Sequence, residues 1–199
     1  MVESRSNKSH AFHQITGLVF IMQITVHPTS HLCWNNQIVR CALGRNGVCL
    51  NKKEGDGATP AGVFPLRQVL FRSDRLKTPK TGLPIKALKL NDGWSDDPSD
   101  PSYNKLIKRP YNYRHEKLWR EDHVYDVIVE LGQNDDPPKP GCGSAVFLHV
   151  AHPDYSPTEG CVGLKLEDLL SLLKECNKMT IITILNQHPS KKGRLSDFT

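Results

Sequence analysis

The chain lacks most of what would mark it as a metal, membrane or nucleic-acid protein. Its six cysteines (Cys33, Cys41, Cys49, Cys142, Cys161 and Cys176) form no CxxC pair, which removes the usual zinc-ribbon and redox-motif spacings. Cys33, Cys41 and Cys49 recur every eight residues, a rhythm of neither a zinc site nor a dense disulfide framework. Most of the six are expected to be buried small apolar side chains, as free cysteines commonly are. The apolar run at residues 18–26 is broken by Gln23 and Thr25 and is far too short to cross a bilayer. Arg5 and Lys8 precede it, yet no small-x-small cleavage site follows, so it does not read as an export signal. No internal repeat is present, and no glycine-rich loop leads to Gly-Lys-Ser/Thr, which excludes a P-loop. Also missing is a basic stripe interleaved with aromatics. The net charge of +5 comes from 26 basic and 21 acidic residues spread along the chain, so a mildly basic solvated surface is expected and no nucleic-acid partner.

What is present fits one soluble domain: 199 residues, 38% hydrophobic and 24% charged, enough for a sizeable core. Leu18, Phe20, Met22, Ile24 and Val26 alternate, which predicts a first strand. Residues 27–48 read as a hairpin around Asn-rich turns, and residues 52–62, "KKEGDGATPAG", as a punctuated loop. Residues 71–122 have little periodicity, but their Trp94, Tyr103, Tyr111, Tyr113 and Trp119 argue for order. In "VYDVIVELG", Tyr125, Val127, Val129 and Leu131 should share one strand face, and "SAVFLHVA" predicts the next strand. Residues 164–176 place Leu166, Leu169, Leu170 and Leu173 at helical spacing, with Glu167 and Asp168 early and Lys174 late, as the helix dipole favours. "TIITIL" at 180–185 is a last strand. The fold class expected is mainly β (α+β), with one main helix and long loops. The domain should span residues 16–187, between flexible tails at 1–15 and 188–199.

One stretch concentrates chemistry: "FLHVAHPDYSPTEGCVGL", residues 147–164. On a strand, His149 shares a face with Phe147 and Ala145, whereas His152 has the opposite parity. A metal site needs three or four convergent ligands, and only Cys142, His149 and Cys161 offer a candidate set, so no metal or cofactor is expected. Cys161 follows Gly160, and glycine lets the chain turn so that main-chain N–H groups can hold a developing oxyanion. A thiolate nucleophile also needs a partner that lowers its pKa below the free value of ~8.5, for which His149 is the candidate. On spacing alone, a buried cysteine beside a hydrogen-bonded core histidine is the favoured reading, because Cys/His pairs do not transfer between families.

The same residues resemble the YkuD-type L,D-transpeptidase catalytic domain, whose signature is a strand histidine, a loop, then Ser/Thr-His-Gly-Cys. Here His149 is followed by Thr158, Glu159, Gly160 and Cys161. The likeness extends to a bacterial subgroup with "EGDGATPxGxF", "DGWxDDP", "YN", "YDxxVxLG" and "GSAxFLHxA". In this chain these stand as "EGDGATPAGVF" (54–64), "DGWSDDP" (92–98), Tyr103 with Asn104, "YDVIVELG" (125–132) and "GSAVFLHVA" (143–151). The resemblance implies a YkuD-like β-sandwich or open barrel and acyl transfer on peptidoglycan stem peptides. Cys161 would be the nucleophile and His149 the base. The Gly160 and Cys161 N–H groups would form the oxyanion hole, and the main-chain carbonyl of Val150 would orient the base. Two departures stand out. Glu159 replaces the family's second histidine, and only 11 residues separate His149 from Cys161. An ionised glutamate cannot donate a hydrogen bond, so a substrate contact made by that histidine is altered.

Weaker candidates for substrate binding are Glu159, Arg72, Arg75, Trp94 and Tyr103. The two arginines could clamp a carboxylate bidentately or pair with Asp74 or Glu54, and the aromatics could wall the cleft or pack beneath it. Asp92, Asp96, Asp97 and Asp100 fit turn chemistry better than a calcium loop. The competing functions are an L,D-carboxypeptidase or other thiol acyl hydrolase, and a catalytically silent wall-binding module. The family implies the bacterial cell envelope or periplasm. The weak leader leaves a cytoplasmic site open, no stable membrane insertion is expected, and no protein partner is indicated.

Overall fold

A computed structural model describes residues 22–186; the expected tails, and Leu18 and Phe20 of the first strand, lie outside the described residues. Alternating apolar positions build β1 (Gln23–His27), in which Ile24 and Val26 point inward. β2 (His31–Trp34) and β3 (Gln37–Ala42) form the anticipated hairpin. Its tip residue Asn35 has φ 45°, a left-handed conformation that asparagine tolerates well. Then come β4 (Val48–Cys49), β5 (Thr59–Pro60), the long β6 (Gly62–Phe71) and β7 (Ile85–Ala87). The stretch without periodicity holds β8 (Asp92–Ser95), β9 (Leu106–Lys108) and β10 (His115–Lys117). The second half supplies β11 (Val127–Leu131), β12 (Phe147–Val150), β13 (Val162–Leu164), α1 (Leu166–Glu175) and β14 (Ile181–Ile184).

Nine strands form one sheet in the order β11-β12-β13-β3-β2-β1-β14-β6-β7. β6 closes it into a ring. Its first residues pair with β14, from Gly62 opposite Ile184 to Pro65 opposite Ile181. Its remainder pairs with β11, from Leu66 opposite Leu131 to Phe71 opposite Val127. A register shift between Val129 and Leu131 marks the bend, and such irregularities let a sheet curl upon itself. The mainly β, single-helix architecture matches the sequence reading, with a closed barrel-like sheet rather than an open one.

The barrel interior is filled by Ile24, Val26, Leu32, Val69, Val127, Val129, Leu148, Val162, Leu164 and Ile182, among others. α1 adds Leu169, Leu172 and Leu173 to this core. The buried stripe is therefore Leu169, Leu172, Leu173 and Cys176, one turn later than the expected stripe, with Leu166 and Leu170 only partly buried. The helix begins directly after β13, so its first turn is still at the rim. All six cysteines are free; Cys41, Cys161 and Cys176 are buried, Cys33 and Cys49 half-buried, and Cys142 exposed, so the burial expected of most holds for half of them.

A second cluster lies on the outer side of β11 and β12. It joins Leu70, Leu88, Trp94, Leu118, Val124, Tyr125, Ile128, Phe147 and Cys161, and the small sheet β10-β8-β9 covers it. Tyr125 precedes β11 and packs here with Ile128, not on the Val127 face that simple alternation assigned to it. The aromatic-rich stretch is thus a second layer.

Burial of the α1 stripe sets a measurable ranking. Leu172→Ala should lower unfolding stability by about 2–5 kcal/mol, the usual cost of a cavity at a fully buried leucine, and Leu170→Ala by clearly less. Urea unfolding with unchanged m-values reads both; the reverse order would mean that the helix is rotated from the phase described.

Candidate active site

β12 alternates between the two cores. Leu148 faces the barrel interior, whereas Phe147 and His149 face the second layer. β13 runs parallel to it, with Leu148 opposite Val162 and His149 opposite Gly163. Cys161 ends the loop just before β13, so its sulfur lands beside the start of β12. Sγ accepts a hydrogen bond from the Phe147 N–H at 3.4 Å and donates to the Ala145 carbonyl at 3.1 Å.

The His149 imidazole is buried and its Nδ1 lies 2.9 Å from the Val150 carbonyl. A carbonyl can only accept, so Nδ1 carries the proton and Nε2 is the free base. The ring meets Tyr125 edge-on, with centroids 5.5 Å apart. His149 is not among the hydrogen-bond partners of Sγ, and such contacts in an empty site commonly tighten only when substrate arrives.

Burial disfavours charge on both groups. Burial, with help from the nearby Glu116 charge, pushes the Cys161 thiol up to about 12. Burial also lowers His149 to about 4, against the opposing pull of the Val150 carbonyl. Both directions run against the sequence-based expectation that His149 holds the thiol below its free value. Desolvation thus favours the thiol and imidazole forms over thiolate and imidazolium.

The nucleophile loop is fastened from two sides. The Cys161 carbonyl accepts from Thr158 Oγ1 at 2.7 Å and from Thr59 Oγ1 at 3.4 Å. Thr158 is itself tied to the barrel through its N–H to the Leu43 carbonyl and its carbonyl to the Arg45 N–H. Gly160 has φ +135°, and a Cβ there would stand 2.8 Å from the Ala58 carbonyl oxygen. Only glycine fits that approach. Its N–H is taken by Thr158 Oγ1 at 3.1 Å, so of the two proposed oxyanion donors Gly160 is engaged in this state. Asp56 shapes the facing "EGDGATP" loop by accepting from the Lys53 and Ala58 N–H groups and pairing with Lys52.

The sulfur and the imidazole open into a cavity of about 560 Å³. Its walls carry Lys52, Glu54, Arg114, Glu116, Arg120 and Glu159. His152, though exposed, also reaches the rim, so strand parity separated the two histidines without sending them to different sites. Glu159 stands at the rim in an ion pair with Arg45.

The remaining sequence candidates lie elsewhere. Arg72 is buried, forks onto Asp74, donates to the Arg120 carbonyl at 2.6 Å and stacks 3.7 Å over Trp119. Arg75 is held by Asp126 and Glu121. Neither lines the cavity; Asp74, not Glu54, is the partner of Arg72. Trp94 packs beneath the site, 5.1 Å from Phe147, and Tyr103 donates its hydroxyl to Glu54. Among the described residues, no group of three or more His, Cys, Asp or Glu gathers as a metal site would.

Sequence reasoning passed over Asn104, Tyr125 and Glu116. Asn104 Oδ1 accepts from Trp94 Nε1 at 2.9 Å and from the Ala145 N–H at 3.1 Å, which fixes the carbonyl that receives the thiol proton. The "YN" pair contained that signal. Glu116 sits in the stretch without periodicity, where nothing local pointed to a cavity.

A model of the YkuD family, the L,D-transpeptidase catalytic domain, matches residues 22–184. Three solved structures overlay loosely. L,D-transpeptidase 1 of Mycobacterium tuberculosis is 13% identical, with 82% of this chain and 61% of that one covered and a TM-score of 0.37. L,D-transpeptidase 3 of the same organism is 11% identical over 82% and 60%, with a TM-score of 0.40. Bd1075 of Bdellovibrio bacteriovorus is 15% identical over 83% and 48%, with a TM-score of 0.40. The chain therefore spans less than two thirds of each of these proteins. No curated protein matches it.

The neutral resting pair predicts how the thiol reacts. In a Cys142→Ser background, alkylation of Cys161 by iodoacetamide should rise about tenfold per pH unit from pH 7 to 9 without levelling, since thiolate is the reactive form. A plateau below pH 9 in the measured pH–rate profile would show that the thiol is already ionised.

Proposed function

The chain belongs to the YkuD family of L,D-transpeptidase catalytic domains, and from that premise we propose that it transfers acyl groups between peptidoglycan stem peptides through a thioester on Cys161. The observation that carries this reading is the meeting of the Cys161 sulfur with a cavity that also receives His149, whose Nδ1 is anchored on the Val150 carbonyl.

The stem-peptide carbonyl enters the cavity and displaces water from it. As Sγ attacks, its proton moves to His149 Nε2, the nitrogen that the Val150 contact leaves unprotonated. Buried at rest, the pair ionises only as the proton is handed over, which keeps a naked thiolate from forming in a dry site. The negative charge on the carbonyl oxygen is met by the Cys161 N–H, with the Gly160 N–H available if it releases Thr158 Oγ1. His149 then gives its proton to the departing D-amino acid amine. In the second half, an amine from a neighbouring stem attacks the thioester, Nε2 takes a proton from it, and the sulfur leaves and regains that proton.

The cavity wall supports a substrate carrying charges of both signs, because Lys52 and Arg114 stand there with Glu54 and Glu116. No helix among the described residues is long and apolar enough to cross a membrane. The cell envelope, where peptidoglycan lies, is the proposed place of action. Water in place of the amine would make the same site a carboxypeptidase; the cavity's opening to solvent at Glu159 and His152 keeps that second reading in play.

Purified protein incubated with muropeptides should yield crosslinked or D-amino-acid-exchanged products by mass spectrometry. Cys161→Ala should remove them while leaving the melting temperature within a few degrees. Turnover retained by Cys161→Ala would refute the thioester. Trimmed stems without any crosslinked or exchanged product would favour the carboxypeptidase.

A further inference from the structure

The second half-reaction has a proton to place that His149 cannot take. A basic amine arrives as an ammonium ion, with an ordinary pKa near ~10.4 for a lysine-like group. It must lose one proton before its lone pair exists and a second as the new amide forms. His149 relays the second to the sulfur. The first needs another base.

Four carboxyls line the cavity: Glu54, Asp96, Glu116 and Glu159. Asp96 is paired with Arg114 at 3.0 Å, Glu159 with Arg45, and Glu54 accepts the hydroxyls of Tyr103 and Ser144. Glu116 differs from all three. It projects from β10, opposite Trp94 of β8, and among the described residues its one hydrogen-bond donor is the Tyr125 hydroxyl, 2.6 Å from Oε1. The nearest cation, Arg120, is 3.8 Å from that same oxygen and is held more closely by Asp122. Oε2 thus has no hydrogen-bond donor among the described residues, and Glu116 lines the cavity. Tyr125, whose hydroxyl Glu116 holds, stands edge-on to His149, so the carboxyl sits on the wall next to the base.

We propose that Glu116 is a second base of the reaction, which binds the ammonium of the acyl acceptor and takes its first proton. This rests on the acyl-transfer reading above. The carboxylate removes one proton from the ammonium and becomes the acid. The freed amine then forms its N–C bond to the thioester carbonyl while the C–S bond breaks with its electron pair on sulfur. His149 Nε2 takes the remaining extra proton from nitrogen and delivers it to that sulfur, and the Glu116 acid releases its proton to solvent through the cavity. The balance is one ammonium and one thioester in, one amide, one thiol and one proton out.

The surroundings suit this work. Burial raises the carboxyl of Glu116 above its ordinary range, and the charges of Asp96 and Asp122 add to the rise, while the Tyr125 hydrogen bond and Arg120 oppose it. The neutral Cys161 and His149 face it from the floor. A raised carboxyl is a better acceptor for an ammonium proton than an ordinary one.

The test separates three ways of resolving one acyl-enzyme. Wild type and Glu116→Gln are acylated with a tetrapeptide stem, confirmed by intact mass, and then resolved by water, by hydroxylamine or by the amine of a second stem peptide. Hydroxylamine is already a neutral nucleophile at pH 7, and water brings no ammonium proton. Glu116→Gln should therefore slow the stem-amine reaction by about tenfold or more, within the usual range for a general base. Hydrolysis and hydroxylaminolysis should stay within about threefold, and the deficit should shrink as pH is raised towards the amine's own pKa. Glu116→Asp, which keeps a carboxylate, should recover part of the loss. Equal slowing by all three nucleophiles, or equal rates for the stem amine in both proteins, would overturn the assignment. If wild type itself forms no acyl-enzyme, the acyl-transfer reading fails first, and that result is distinct from either.

Discussion

The site depends on one pairing, the parallel contact of β12 with β13. Parallel strands cannot be joined by a tight turn, and their connections normally run to a dozen or more residues, often through a helix. Here residues 151–161 make the crossover without one. The Tyr155 N–H bonds to the His152 carbonyl, and Thr158 is pinned to both Leu43 and Arg45. Once Leu148 is set opposite Val162, the residue before β13 must lie beside the start of β12. Cys161 is that residue, and Phe147 N–H and Ala145 C=O are what it finds there. A shift of one position would turn His149 into the barrel and bring Leu148 out. The catalytic geometry and the hydrophobic register are one constraint.

The same strands explain why the Cys161 sulfur and the His149 ring are buried. β11 and β12 each give one face to the barrel and the other to the second cluster, so Ile128 and Phe147 form an apolar floor beneath the site. That floor raises the thiol and depresses the imidazole. Ionising them apart from substrate would place charge where little can solvate it. Asn104, Tyr125 and the Val150 carbonyl instead fix positions without adding net charge, so orientation is settled before any proton moves. Lys52, the cation whose charge acts on Cys161, is paired with Asp56.

Most of the barrel could be read from the sequence because its strands obey local rules. Ile24 and Val26, or Val127, Val129 and Leu131, alternate as strands with one inner face must, and the helical leucines gave the right element one turn out of phase. The proposed nucleophile and base were legible as a motif, since glycine and cysteine at 160–161 and a histidine at 149 stand in recognisable order. Residues 71–122 were opaque for a physical reason. Leu88, Trp94 and Leu118 are buried by contacts with distant strands, not by a repeating face of their own, and short strands of three or four residues are too brief to show a period. Glu116 was hidden there. Arg72 and Arg75 looked like substrate clamps because a free guanidinium and a saturated one have the same letter.

The rim is built on different terms from the floor. Glu159 and Arg45 are substantially solvent-exposed, and an exposed ion pair contributes about 0–1 kcal/mol, too little to lock either side chain. Glu159 is therefore held only by its main chain, while Thr158 and Cys161 on either side are fastened to the barrel. In the resembling signature a histidine occupies this position, and its ring N–H could donate to a substrate acceptor. Glu159 can only accept when ionised, and it presents negative charge where a donor would otherwise stand. The carboxyl of Glu116 on the second layer adds a second negative group on the cavity wall. The floor sets the chemistry, through residues that cannot move without unfolding a strand. The rim and wall carry charges of both signs, on residues that can change without disturbing it.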